Sequence, residues 1–303
     1  MKELYDKTKE FLQENYKGEL NDETLDILTV SIMALYGRFS EVSIKRLPGI
    51  LSKLEFHFGE ESIPEMVSKR YPEYPIEEIG EDTNAFATRA LALGDDNKFS
   101  EEWSMYVSTH NIESRLINVI GKSVHELIHL LRFNGIVDGE KESKIRDGVS
   151  IARCNKETKI VKRKHYNLEE GIVERFTINA MDALYEFISS YDVSFSSALS
   201  AIKNDYKTKF DSSYQVERFF LDGLTRDKKF DELLEYSFLD ESEPLELVTY
   251  FNNVVGDPSG FTRLSRGIDR TVEYAQNEDE VNFKKSTQEI INQINGFLAK
   301  KKY

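Results

Sequence analysis

His125, Glu126 and His129 stand in the order His-Glu-x-x-His, within Val124-His125-Glu126-Leu127-Ile128-His129-Leu130. Residues four apart lie one above the other on a helix, so both imidazoles can aim a nitrogen at one ion. Glu126 then lies beside that ion, where its carboxylate can take a proton from water. These residue types at this spacing point to hydrolysis assisted by a divalent metal. Such chemistry needs a third ligand and an open coordination position.

An eleven-residue pattern with a third histidine would require Gly at 132 and His at 135, and the chain has Arg132 and Gly135. That pattern is excluded. Downstream, Asn167-Leu168-Glu169-Glu170-Gly171-Ile172-Val173-Glu174 opens a segment whose Leu168, Ile172, Phe176, Ala180, Leu184 and Ile188 form an apolar stripe. Glu170 and Glu174 share another face, one turn apart. Glu170 is a candidate ligand, and it also fits the N3 carboxylate of a capping box begun by Asn167. His165 is a further candidate and would complete a three-histidine site.

His125-Glu126-x-x-His129 followed by a helix opening Glu169-Glu170-Gly171-x-x-Glu174 resembles the gluzincin branch of the zincin metallopeptidases. The short string His-Glu-Leu-Ile-His with a later Glu-Glu pair is also similar to clostridial neurotoxin light chains. The gluzincin resemblance implies zinc as cofactor, with His125, His129 and Glu170 as ligands and Glu126 as general base. It implies that Glu174 bonds His125 and fixes its tautomer. It implies a peptidase acting on a peptide or protein substrate, with the oxyanion stabilised by a later residue such as Tyr166, Tyr250, Arg263, Arg266 or Tyr274. The chain departs from the family in two places. The interval from His129 to Glu170 is longer than in many members, which calls for an inserted element, and residue 169 is Glu where many have Asn.

The elements that must hold these side chains are legible as patterns. Ile112, Leu116, Val119, Ile120, Val124, Leu127, Ile128 and Leu131 recur at three- and four-residue steps and predict the helix carrying both histidines. Asn118, Lys122, His125, His129 and Arg132 run along the neighbouring stripe. The predicted class is α+β, mostly helical: a zincin-like core with a small antiparallel sheet, the metal-binding helix and a C-terminal helical bundle. Residues 1–80 read as a helical region, with Leu25, Leu28, Ile32 and Leu35 on a helix capped near Asn21 or Asp22. In that region His57, between Phe56 and Phe58, reads as packed or half exposed rather than ligating. Residues 81–190 read as the catalytic core, with strands at 85–88 and 103–109 and an inserted hairpin at 148–165. By the resemblance, 103–109 is the edge strand that pairs with an extended substrate. Residues 191–303 read as a helical subdomain broken near Asp192, Phe210, Gly223, Asp240 to Pro244, Gly256 and Asn277. Phe219, Phe220, Phe230, Leu233, Leu234, Phe238, Leu247 and Phe251 are its expected core.

A chain of 303 residues with formal charge −14 can bury a substantial core and repels polyanions, so nucleic acid is not expected as a partner. The basic run from Lys159 to Lys164 fits one exposed strand. The single Cys154 excludes an internal disulfide, and neither a secretory leader nor a membrane-spanning run is evident, which predicts a cytoplasmic protein without a membrane partner. An alternative function is a zincin-fold protein that binds peptide or protein without cleaving it. Glu126 weighs against that alternative, because a purely structural site has no need of the acid.

Overall fold

The structure is a computed structural model and describes residues 1–39, 45–70, 79, 83, 85–93, 99–108, 116–157, 161–210, 213–236 and 243–300. It is mostly helical, with two small sheets. The chain divides into two compact units, each assembled from two stretches: residues 1–131 with 176–211, and 132–175 with 212–303. The three regions read from sequence are consecutive, whereas these units interleave.

The first unit opens with α1 (Lys2–Asn15) and α2 (Asp22–Arg38). Asn21 caps α2 as the sequence predicts, its side chain accepting from Thr24 N at 2.8 Å. Residues 27–35 of α2 are buried on every side, which makes it the central helix of this unit. Its buried Thr29 and Ser31 hydroxyls donate to the carbonyls of Leu25 and Ile27, so no polar group is stranded. Asp26 accepts from Tyr5 Oη at 2.7 Å, Ser196 Oγ at 2.6 Å and Ala198 N at 3.0 Å. One carboxylate thereby ties α1 and α2 to the start of α7 (Ser197–Lys209).

After the short α3 (Leu47–Leu51) come β1 (Leu54–Gly59), α4 (Ile63–Arg70), β2 (Ala85–Leu93) and β3 (Phe99–Ser108). The strand order is β1-β3-β2, with β1 parallel and β2 antiparallel to β3. One expectation is corrected here: β3 is the middle strand of this mixed sheet with residues 103–108 buried, so that segment is not a free edge, and residue 109 lies outside the described residues. The reason is β1, which the proline-punctuated region up to residue 80 disguised as helical. His57 lies on that strand with its ring stacked on Tyr106, centroids 4.5 Å apart, so it packs as expected. Ile63 and Val67 of α4 bury against Tyr106 and cover the sheet.

Helix α5 (Leu116–Arg132) carries the predicted stripe, with Val119, Ile120, Val124, Leu127, Ile128 and Leu131 all buried. Ile112 lies outside the described residues. Gly121 matters to its packing: a Cβ there would strike the Phe210 ring.

The second unit begins where α5 ends. Strands β4 (Phe133–Asp138), β5 (Glu142–Asp147), β6 (Ser150–Asn155) and β7 (Val161–Lys164) form an antiparallel meander in sequential order. The predicted hairpin is its second half; the first half extends the insertion back to residue 133. Helix α6 (Tyr166–Ile188) follows, and the division between units runs through it, between Arg175 and Phe176. Then come α8 (Gln215–Leu224), α9 (Lys228–Tyr236), α10 (Glu243–Val255), α11 (Gly260–Gln276) and α12 (Glu280–Ala299). Their breaks match those read from sequence, with 237–242 outside the described residues. Phe220, Phe230, Leu233, Leu234, Leu247 and Phe251 are buried as expected. Phe219 is the exception, 57% exposed, because its neighbour Phe220 takes the inward position on α8. Phe238 falls outside the described residues.

Candidate metal centre

His125 and His129 are separated by one turn of α5, and their Nε2 atoms approach to 3.2 Å. His125 and Glu126 are buried, and His129 is half-buried. Two nitrogens bound about 2.05 Å from one tetrahedral ion stand roughly 3.3 Å apart, so the observed separation fits a shared cation. Glu170 supplies the third donor: one ligand atom from each of His125, His129 and Glu170 lies within 4.8 Å of the others. Two imidazole nitrogens and one carboxylate oxygen are the donor set that suits zinc. A carboxylate beside two imidazoles also brings the negative charge that a divalent cation attracts. The residues present therefore fit the ion.

Helix α6 presents Glu170 for a reason written in its first turn. Glu169 N donates to His165 O at 3.0 Å, so His165 caps the helix, with φ of 62°. Asn167 is thus already inside the helix, and its amide donates to Asp269 Oδ1 at 3.0 Å. The capping-box reading of Asn167 and Glu170 fails for that reason. His165 does not join the donor group; its ring lies edge-on to Phe261 with centroids 5.3 Å apart. Glu174, one turn beyond Glu170, is buried.

Glu169 and the inserted sheet meet at one buried node. Arg132, the last residue of α5, donates through Nε and Nη2 to the two carboxylate oxygens of Glu169, the residue before Glu170. Val149 N donates to Glu169 Oε2 at 2.8 Å, and Gly148 N donates to Arg132 O at 3.0 Å. Gly148 has φ of 52°, and a Cβ there would collide with the Glu169 carboxylate. The inserted sheet is therefore stapled to the end of the helix that carries the two histidines and to the start of the one that carries Glu170. Sequence reading passed over Arg132 as a stripe residue. Its pairing with a carboxylate thirty-seven positions away had no local signal.

Gly171 lets α8 approach α6: a Cβ there would sit 2.8 Å from Cβ of Glu217 and 3.2 Å from its backbone carbon. Glu217, buried on α8, was also missed. Burial pushes its carboxyl up to about 7, and the charges of Glu170, Glu174 and Asp269 push the same way. Among the residues considered for the oxyanion, Tyr250 Oη donates to Asp227 at 2.9 Å and Arg263 pairs with Asp257. Those two are engaged elsewhere.

No family model, curated protein or solved structure matches this chain. No helix among the described residues is long and apolar enough to cross a membrane.

Proposed function

We propose that the protein is a zinc-dependent peptidase of gluzincin type with a zincin-like core. The observation that carries the reading is the donor group of His125, His129 and Glu170, with Nε2 atoms 3.2 Å apart and Glu126 next in sequence to the first ligand. His125, His129 and Glu170 would hold a divalent ion, which when bound would supply Lewis acidity to a scissile carbonyl and lower the pKa of water toward neutrality. Glu126 accepts the proton of the attacking water and delivers it to the departing amine. Glu174 orients His125, and Glu169 with Arg132 holds the helix turn that presents Glu170. The substrate class is peptide or protein.

Elemental analysis of the purified chain should find one zinc per molecule. Glu126→Gln should keep that zinc while cleavage of a mixed peptide pool falls at least about a hundredfold, the usual worth of a general base. A variant that cleaves as fast as the parent removes Glu126 from the mechanism. A zinc-loaded parent with no cleavage of any peptide or protein mixture would instead favour a binding protein.

A further inference from the structure

The inserted sheet carries charge opposite to the rest of the molecule. Residues 133–164 hold nine Lys and Arg against five Asp and Glu, in a chain of net charge −14. The run near Lys162 looks like one exposed strand in sequence, but the strand register collects cations from three strands onto one face. Lys144 pairs with Arg153, and Arg153 with Lys162, so three cations stand directly opposite one another across β5, β6 and β7. Two residues along, the next rung on that face is Arg146, Ile151 and Lys164. The other face takes Ser143 and Cys154, which are buried, so the sheet turns its basic side outward.

Lys144, Arg153, Lys162 and Lys164 are all exposed. Like charges directly opposite on a sheet destabilise it. Among the described residues, the one carboxylate within ion-pair distance of these five cations is Glu142, 3.8 Å from Arg153. The arrangement leaves an electrostatic cost that an anionic partner would remove.

We infer that this face docks an acidic segment of another protein. Adjacent strands are about 4.8 Å apart and alternate residues about 6.8 Å apart, so the cations cover a patch of roughly 10 by 7 Å. That footprint matches alternate carboxylates of an extended peptide, which share the same 6.8 Å repeat of about two residues. A nucleic acid is disfavoured on two grounds. A long polyanion would run off the patch onto an acidic molecule, and the register puts Val137 and Ile151, not an aromatic ring, between the described cations. The inference is independent of the metal, since none of these residues belongs to the donor group.

The test is fluorescence anisotropy with a labelled glutamate-rich peptide and the same peptide with glutamine at every glutamate. The full chain should bind the acidic peptide and not its glutamine counterpart, and sodium chloride should weaken binding. The variant Lys144→Gln/Arg153→Gln/Lys162→Gln should bind about tenfold more weakly, the sum of a few exposed ion pairs. Its melting temperature should not fall, because the removed charges repel one another. Equal binding of the two peptides by the parent overturns the inference without recourse to any variant. Unchanged affinity in the folded triple variant overturns the assignment to this face. Tighter binding of single-stranded DNA or phosphatidylserine vesicles at the same salt overturns the choice of partner, as does self-association of the chain through this face in sedimentation.

Discussion

His165 shows how much a single side chain can couple the fold to pH. It is buried, its Nδ1 has no hydrogen-bond partner, and its backbone is left-handed. Burial, with help from the charges of Lys164 and Arg266, pulls its pKa down to about 4. The unfolded chain takes up this proton near 6.5 while the folded one resists until about 4, so the contribution is full above 6.5 and is lost as pH falls. His165→Asn keeps a residue type that tolerates positive φ and removes the titration. Urea unfolding across that window should show a flatter loss of stability in the variant, the difference reaching about 3 kcal/mol at most. Equal slopes for parent and variant would place the acid sensitivity elsewhere. Arg132 and Glu169 are the opposite case, a pair whose charges satisfy each other in the dark. Glu169→Gln leaves a buried guanidinium without its counter-charge and should cost roughly 3–5 kcal/mol by urea unfolding. Arg132→Met/Glu169→Leu removes both charges and should recover much of that loss. A double variant as weak as the single one would show that the node acts through geometry beyond charge.

Elements were legible in proportion to how locally they are specified. Helices α5 and α2 and the C-terminal set follow from apolar stripes and turn residues, which a short window of sequence contains. Strands β4 and β5 were missed because Glu142, Lys144 and Arg146 alternate with Ser143 and Ile145, a weak contrast that acquires meaning only when paired across the sheet. Likewise β3 reads as a strand but not as a central one, since its parallel partner β1 lies about fifty residues upstream. The candidate histidine pair on α5 was visible because helical spacing is local. That Glu170 does not close a capping box with Asn167 rests on where α6 begins, and this depends on His165 and on Asp269, about a hundred residues away from Asn167. Gly171 belongs to this scale too. Ala at that position gains about 1 kcal/mol of helix propensity but meets the backbone of Glu217, an overpacking that costs about 1–3 kcal/mol. Gly171→Ala should therefore be destabilised on balance, and its zinc affinity by competition with a chromophoric chelator should fall as α6 shifts. A more stable variant with unaltered affinity would show that α8 yields without moving Glu170.

Over the whole molecule, the chain passes from the first compact unit to the second at the end of α5, returns within α6, and leaves again after residue 211. Neither unit is a continuous piece of sequence, and α6 contributes residues 166–175 to one and 176–188 to the other. A helix propagates cooperatively, so melting one half exposes the broken end of the other. This argues for a single unfolding transition despite the length of the chain, where consecutive domains would unfold separately. The single tryptophan makes the test direct: Trp103 is buried on β3 in the first unit, while far-ultraviolet circular dichroism follows helices in both. Urea titrations followed by tryptophan fluorescence and by dichroism should give superimposable curves with one midpoint. If fluorescence changes while a large helical signal persists, α6 breaks near Arg175 and the second unit stands alone. Under the proposed function, zinc in excess should raise the shared midpoint by RT ln(1 + [Zn]/Kd), and chelation should lower it.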